Sequence, residues 1–169
     1  MEQTLAGQVA FITGASGGLG AHFARVLARH GAAVALTARR TEMVQSNADA
    51  INAAGGKALA LRLDVADAHS IGPAMDEVEK ALGPISIVIN NAGIGGEGLA
   101  LDISIEDWDR TFDVNVRGVF IAAREGAKRM LASGVAERGD ARIVNIASIA
   151  THTILPGLPA YCASKAAVG

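Results

Sequence analysis

Short apolar runs alternate with longer amphipathic segments along this chain of 169 residues. The apolar runs have the length of buried strands, and they cover residues 9–13, 33–37, 58–63, 85–89 and 141–147. The amphipathic segments predict helices over residues 19–30, 41–54, 68–82 and 105–131, with a further helix that begins near Ala160. Glycines or polar residues separate most of these segments, as is usual at turns.

This alternation predicts an α/β fold, namely a doubly wound, Rossmann-type parallel sheet with helices on both faces. Strands that are apolar throughout suit a sheet that is covered on both sides. No internal repeat or linker divides the sequence, so we expect a single domain over residues 1–169. The sequence stops at Gly169, partway along its last predicted helix, and we therefore expect that the C-terminal part of the domain is missing.

Composition narrows the class of protein. Half of the residues are apolar and only 4% are aromatic, a mixture that suits closely packed helices on a sheet. A formal net charge of −2 gives no reason to expect nucleic acid or an anionic membrane as a partner. We find no signal peptide and no apolar run of membrane-spanning length, and we expect a cytoplasmic protein. Cys162 is the only cysteine, and the four histidines lack metal-ligand spacing, so we expect neither a disulfide nor a metal site.

A glycine-rich turn joins the first predicted strand to the first predicted helix. It reads T-G-A-S-G-G-L-G over residues 13–20. Glycines at such a turn let the backbone approach a pyrophosphate closely, while the free N–H groups of the helix start face the phosphate charge. The turn therefore predicts a dinucleotide-binding domain, although an ordinary strand-to-helix turn would also account for a glycine cluster alone. The candidate contacts are Gly14, Ser16, Gly18, Leu19 and Gly20.

Four further motifs follow the glycine-rich turn along the chain. They are N-N-A-G over residues 90–93, Asn115 on the long helix, Ser148 after the fifth strand, and Y-C-A-S-K over residues 161–165. In this order and spacing, together with the glycine turn, they resemble the short-chain dehydrogenase/reductase family of NAD(P)-dependent oxidoreductases. The resemblance runs from Val9 to the end of the chain, and it implies an enzyme with a Rossmann-type fold.

The resemblance also implies roles for four side chains. Tyr161 would be the general acid or base, Lys165 would bind the nicotinamide ribose, Ser148 would hold the substrate oxygen, and Asn115 would hold a water that links Lys165 to solvent. The residues themselves support part of this. Lys165 lies four residues after Tyr161 on one helix face, where its ammonium favours the phenolate. Asn115 lies on an apolar helix stripe, so its buried amide needs a partner.

Each of these features also has a simpler interpretation. Tyr161 and Lys165 could be an exposed tyrosine and a solvated lysine that happen to lie one turn apart. The amide of Asn115 could make a local capping or backbone bond. The presence of Ser148 and of the glycine turn favours the catalytic interpretation over the simpler one.

The residues at the end of the second strand indicate whether the cofactor is NAD or NADP. Selection for NAD usually places an acidic residue there, but this chain has Ala38, followed by Arg39. Because the guanidinium of Arg39 can pair with a 2′-phosphate, we predict NADP(H), with NAD possible. Arg39 and Arg40 could instead be surface charges.

Residues after the third and fourth strands complete the predicted cofactor site. By resemblance, Asp64 would meet the adenine amino group and Val65 would pack beside the ring, although Asp64 could equally cap the next turn. Asn91, Ala92 and Gly93 would let the backbone pass close to the cofactor, which Tyr161 and Lys165 would also contact.

We expect the substrate to be a small carbonyl compound or the corresponding secondary alcohol, of which a 3-oxoacyl compound is one example. Ile94, Leu155 and Leu158 would supply apolar walls, with Glu97 as a further candidate contact. Two alternatives stay open: a non-catalytic dinucleotide-binding module, and an NAD-linked alcohol or sugar dehydrogenase. The resemblance further implies a homodimer or homotetramer built through the long helix and the helix that begins near Ala160.

Overall fold

The computed structural model describes residues 3–96 and 98–169. Its strands are β1 (Val9–Thr13), β2 (Ala33–Ala38), β3 (Lys57–Arg62), β4 (Ile87–Asn90) and β5 (Arg142–Asn145). They form one parallel sheet in the order β3-β2-β1-β4-β5. The order reverses between β1 and β4, and ligands of doubly wound sheets bind at the carboxyl ends of the strands beside such a reversal.

Six α-helices and two short helical turns connect and follow the strands. The α-helices are α1 (Gly18–Arg29), α2 (Thr41–Ala53), α3 (Ile71–Leu82), α4 (Ile105–Phe112), α5 (Val119–Ala132) and α6 (Pro159–Ala166). A π-helical turn over Asp113–Gly118 joins α4 to α5, and a 3₁₀ turn over Ile149–Thr151 follows β5.

The side chains of the strands alternate between two apolar layers. Ile12 and Leu36 belong to the layer that α1 and α2 cover, whereas Phe11 and Val88 belong to the layer that α3 and α5 cover. All four side chains are fully buried. The predicted parallel sheet with helices on both faces is therefore confirmed.

One predicted helix begins later than expected. The pattern predicts a helix from Ala68, but α3 starts at Ile71. The intervening residues form a polar turn, in which Asp67 accepts a hydrogen bond from the His69 amide and the Ser70 hydroxyl donates to the carbonyl of Asp67. These side-chain bonds compete with the helical pattern and delay its start.

The long helix predicted over residues 105–131 is not one regular α-helix. Its start is as predicted, since Ser104 Oγ accepts a hydrogen bond from the Asp107 amide. After Phe112, however, the backbone adopts a π-helical turn before α5 begins at Val119. The helical segment nevertheless runs without a break from Ile105 to Ala132, close to the predicted limits, and Asn115 lies inside the π-helical turn. Within the described residues, no helix is both long and apolar enough to cross a membrane.

Helix α5 packs so closely onto the sheet that one of its residues has no room for a side chain. A Cβ built on Gly126 would come within 2.6 Å of Cγ2 of Val88, a stiff and fully buried side chain. We expect Gly126→Ala to lower the free energy of unfolding by about 1–3 kcal/mol, because overpacked cores must shift to fit. Urea unfolding followed by circular dichroism measures it.

Gly72 in α3 provides the matched control, because a Cβ there meets no atom within 4 Å. We expect Gly72→Ala to raise the free energy of unfolding by up to about 1 kcal/mol through helix propensity. Equal effects of the two substitutions would contradict close packing of α5 on β4.

Candidate active site

Two glycines of the turn between β1 and α1 leave no room for a side chain. Gly14 has a φ of +68°, and a Cβ there would lie 2.7 Å from Cα of Ala92. A Cβ on Gly20 would lie 2.6 Å from the carbonyl oxygen of Gly14. The turn therefore folds tightly against the segment that follows β4, as the glycine pattern predicts.

Side chains of Thr13 and Asn91 fasten this turn to the neighbouring strand end. Thr13 Oγ1 accepts hydrogen bonds from the amides of Asn91 and Ala92, at 3.1 and 3.0 Å. In return, Asn91 Nδ2 donates to the carbonyls of Thr13 and Gly14, at 3.0 and 3.1 Å. The carboxyl ends of β1 and β4 are thus held together at the point where the strand order reverses.

A cavity of about 260 Å³ opens over these strand ends. Eight predicted cofactor-binding residues line it: Gly14, Ser16, Arg39, Asp64, Val65, Asn91, Ala92 and Gly93. Five further lining residues are Ala38, Arg40, Leu63, Ile94 and Val114. The sequence motifs do not indicate Arg40 as a cofactor-binding residue, although its position beside Arg39 is a usable signal.

Five predicted cofactor-binding residues lie outside the lining of this cavity. Gly18 and Leu19 belong to the first turn of α1, where Leu19 is exposed, and Gly20 is buried beneath the turn. Tyr161 and Lys165 belong to α6.

The first turn of α1 carries a free positive end. Its N-cap residue Gly17 makes no side-chain capping bond, and the first turn contains no acidic residue. The N–H groups at a helix start that lack intrahelical partners favour a bound anion. This end of α1 can therefore accept a phosphate group.

Two arginines stand at the rim of the cavity. The exposed Arg39 lines it, and Arg40 also donates a hydrogen bond from Nη2 to Ser16 Oγ at 2.8 Å. This bond spans the end of β2 and the glycine turn. It places positive charge beside the position that precedes the helix start.

Asp64 caps the turn after β3 and also lies at the cavity wall. Its Oδ1 accepts a hydrogen bond from the Ala66 amide at 3.1 Å, which is a local turn cap. The residue also lines the cavity beside Val65, whose side chain is 8% exposed. The cap fixes the carboxylate at the cavity wall.

Asn115 is fully buried and makes three hydrogen bonds. Its Oδ1 accepts from the Ile94 amide at 2.8 Å, and its Nδ2 donates to the Ile94 carbonyl at 2.8 Å and to Ser164 Oγ at 2.9 Å. The bonds are long-range rather than local, because Ile94 follows β4 and Ser164 lies in α6. Sequence reasoning did not identify Ser164 as a site residue.

Lys165 is nearly buried in α6, with 5% of its surface exposed. Its Nζ donates a hydrogen bond to the carbonyl of Ile146 at 2.6 Å and lies 5.8 Å from the centre of the Tyr161 ring. Burial lowers the pKa of Lys165 from the ordinary lysine value, because desolvation disfavours the ammonium. The structure thus brings Tyr161 and Lys165 together.

Ser148 caps the 3₁₀ turn after β5, where its Oγ accepts a hydrogen bond from the Ala150 amide at 3.2 Å. The same turn contacts α6, since Thr151 Oγ1 donates to the carbonyl of Lys165 at 3.2 Å. Ser148, Tyr161 and Lys165 therefore belong to adjoining segments. Residues 3–96 and 98–169 contain no cluster of three metal-ligating side chains, and Glu97 lies outside the described residues.

A glycine turn, a free helix start and a tyrosine beside a buried lysine thus lie on one Rossmann-type fold. The model of the short chain dehydrogenase family matches residues 8–169. The chain belongs to this family.

A sequence relative and a solved structure are consistent with membership of this family. Gluconate 5-dehydrogenase of Gluconobacter oxydans (strain 621H) is 38% identical over 165 residues, which cover 98% of this chain and 62% of the relative. A short chain dehydrogenase/reductase from Burkholderia phymatum in complex with NAD superimposes with a TM-score of 0.91 at 35% identity, over 97% of this chain and 57% of the other.

A third comparison is with a variant actinorhodin polyketide ketoreductase with NADPH. It superimposes with a TM-score of 0.87 at 33% identity, over 95% of this chain and 60% of the other. The chain thus spans about three fifths of the length of these three relatives.

The buried ammonium of Lys165 makes stability depend on pH. In the unfolded chain its pKa returns to about 10.4, so between the folded and unfolded values the unfolded state binds the extra proton. The destabilising effect of the buried charge is present below the folded pKa and disappears as the pH rises towards about 10. Lys165→Met carries no such charge, so we expect the wild type to gain stability relative to this variant from pH 7 to about 10.

Urea unfolding of both proteins at a series of pH values measures this difference. Lys57→Met, which replaces an exposed lysine of β3, is the control whose difference from the wild type should stay level. A level difference for Lys165→Met as well would contradict burial of the ammonium.

Proposed function

We propose that the protein is an NADP(H)-dependent oxidoreductase that interconverts a ketone and a secondary alcohol. The observation that carries the proposal is the nearly buried Lys165 beside Tyr161, on a helix tied through Asn115 to the rim of the glycine-lined cavity. A buried lysine without a carboxylate partner destabilises a fold, so its presence calls for a functional explanation.

The residues present fit a dinucleotide. Gly14 and Gly20 let the turn fold closely onto the segment after β4, and the uncapped start of α1 supplies N–H groups to a pyrophosphate. The wall from Leu63 to Val65 suits an adenine ring, with the carboxylate of Asp64 available to its amino group. When bound, the nicotinamide supplies or accepts the hydride, while the residues of this chain handle the proton.

Tyr161 would donate a proton to the substrate oxygen during reduction and remove it during oxidation. Lys165 favours the phenolate of Tyr161 through its charge, and its hydrogen bond to Ile146 holds that charge in place. The hydroxyl of Ser148 would donate to the substrate oxygen and so orient the carbonyl. Asn115 orients α6 through Ser164 and can hold a water beside Lys165.

The preference for NADP(H) rests on charge. Arg39 and Arg40 stand at the cavity rim, where Arg40 is already oriented by Ser16. No acidic residue occupies the end of β2, where Ala38 stands. Two guanidinium groups suit a 2′-phosphate, whereas a free ribose hydroxyl would leave them unused. The solved relatives include one with NADPH and one with NAD, so the chain's own arginines carry this choice.

The substrate would bind against the segment after β4 and the loop before α6. The Gly98 amide donates to the carbonyl of Gly157 at 3.0 Å, which joins these two segments, and Leu158 lies beside Gly95. Ile94, Leu155 and Leu158 would form apolar walls, suited to a small ketone such as a 3-oxoacyl compound.

We also propose a homodimer or homotetramer through α5 and α6. Phe120 and Leu131 on α5 are 60% and 67% exposed, which leaves apolar surface for a partner subunit. A cytoplasmic location stays a prediction from the sequence.

Removal of the Tyr161 hydroxyl tests the proposed acid and base. We expect Tyr161→Phe to lower kcat for ketone reduction by about a hundredfold to ten-thousandfold, the usual contribution of a positioned acid, with NADPH affinity nearly unchanged. The measurement is the loss of NADPH absorbance over a panel of ketones with the full-length protein. Binding of NADPH without turnover across the panel by the wild type would favour a non-catalytic module.

Removal of the rim arginines tests the choice of cofactor. We expect Arg39→Ala to weaken NADPH binding by about tenfold to a hundredfold, the range for a lost charge-assisted hydrogen bond, and to leave NADH binding nearly unchanged. Arg40→Ala should act in the same direction. Arg25→Ala, an exposed substitution on α1 away from this cavity, is the control.

Fluorescence titration of each protein with NADPH and with NADH measures these affinities. An unchanged NADPH affinity in Arg39→Ala would refute the assignment of this residue. Tighter binding of NADH than of NADPH by the wild type would favour the NAD-linked dehydrogenase instead.

A further inference from the structure

Ser164 is a fully buried polar residue for which the proposed chemistry has no direct use. It lies in α6 between the two residues of the proposed proton-transfer pair, directly before Lys165 and three residues after Tyr161. Its hydroxyl donates a hydrogen bond to the carbonyl of Tyr161 at 2.8 Å and accepts one from Asn115 Nδ2 at 2.9 Å. Both bonding directions of the hydroxyl are therefore engaged.

The partner of Ser164 is itself fixed. Asn115 uses Oδ1 and its other Nδ2 hydrogen on the backbone of Ile94, in the segment that follows β4. Ser164 Oγ is thus the point at which this amide reaches α6. One chain of hydrogen bonds runs from Ile94 through Asn115 and Ser164 to the backbone of Tyr161.

Few other polar contacts hold α6. The helix has eight residues, and its N-cap residue Leu158 makes no side-chain capping bond. Thr151 Oγ1 bonds the carbonyl of Lys165, Lys165 Nζ bonds the carbonyl of Ile146, and Cys162 Sγ accepts from the Leu155 amide at 3.3 Å. Short helices are marginal on their own, so such contacts add to packing in fixing where α6 sits.

We propose that Ser164 is a positioning residue that fixes the turn from Tyr161 to Lys165 relative to Asn115 and the rim of the cavity. The inference rests on the proposed function of Tyr161 and Lys165, which gives the position of this turn its importance. Ser164 would not touch substrate or cofactor. It would act by keeping the ammonium of Lys165 shielded from solvent beside the Tyr161 ring.

A merely structural role is the alternative, and Ser86 illustrates it. Ser86 is 3% exposed, and its Oγ accepts from the Val9 amide at 3.0 Å and donates to the Val9 carbonyl at 3.3 Å. Like Ser164 it is buried, and its hydroxyl both accepts and donates a hydrogen bond. It precedes β4, however, and so lies at the amino end of the strands, opposite the cavity. Ser86→Ala is therefore the matched control.

The environment of Lys165 provides a readout that does not depend on turnover. Desolvation is what displaces its pKa, and no carboxylate among the described residues pairs with it. Tyr161 is the titratable side chain beside it. If α6 shifts outward, water reaches the ammonium, and Lys165 then titrates more like an exposed lysine.

The experiment is a pH titration by NMR of the full-length protein labelled with ¹³C at the lysine Cε positions. The Lys165 signal is identified as the one missing from Lys165→Met. We expect Ser164→Ala to move the Lys165 midpoint towards those of the exposed lysines. We expect Ser164→Thr to restore it, since a helical threonine hydroxyl can bond the same preceding carbonyl, and Ser86→Ala to leave it unchanged.

An unchanged Lys165 midpoint in Ser164→Ala would overturn the inference and leave Ser164 with a structural role. Should the alanine variant not fold, Ser164→Cys keeps a similar volume with weaker bonds, and an unchanged midpoint there has the same meaning. Turnover of ketones by the wild type is measured on the same samples. A shifted midpoint in Ser164→Ala without wild-type turnover would count against the proposed function and not against the positioning by Ser164.

Discussion

The structure depends on one buried amide. The side chain of Asn115 bonds both the N–H and the C=O of Ile94, much as a neighbouring strand would. These bonds keep the segment after β4 next to the π-helical turn, and the remaining hydrogen of the amide reaches α6. A buried amide is costly to leave unsatisfied, so the three segments are held to one arrangement. The cavity, the Tyr161–Lys165 pair and the approach to them share this support.

The pattern of apolar residues predicts β1 and β2 well because these central strands are buried on both faces. The strand β1 has the predicted limits, and β2 differs by one residue. Helix starts are less predictable, since local side-chain bonds such as those of Asp67 and Ser70 compete with helical periodicity. The π-helical turn lies beyond a periodicity argument, because six residues are too few to reveal a local change in the spacing of apolar positions.

The candidate site is predictable where it rests on short motifs. The glycine turn lies against the N-N-A-G segment because both follow strands that are neighbours in the sheet. Contacts between distant segments are not predictable in this way. Arg40 meets Ser16 across 24 residues and Asn115 meets Ser164 across 49, and neither pair has a sequence pattern that links its members. The three-dimensional arrangement adds these two residues, Arg40 and Ser164, to those that the motifs indicate.

The π-helical turn has a consequence for how this region can vary. A helical residue advances by about 100° around the axis, so one residue added or removed between α4 and α5 rotates everything beyond it by that angle. Such a change would turn Gly126 away from Val88 or Asn115 away from Ile94. Both residues belong to one continuous helical segment, which runs from α4 through the π-helical turn to α5. Insertions and deletions should therefore be tolerated in the loops at either end of this helical segment and excluded within it. The π-helical turn therefore determines the angle about the helix axis between Gly126, on the face that packs on the sheet, and Asn115, on the face that contacts Ile94 and α6.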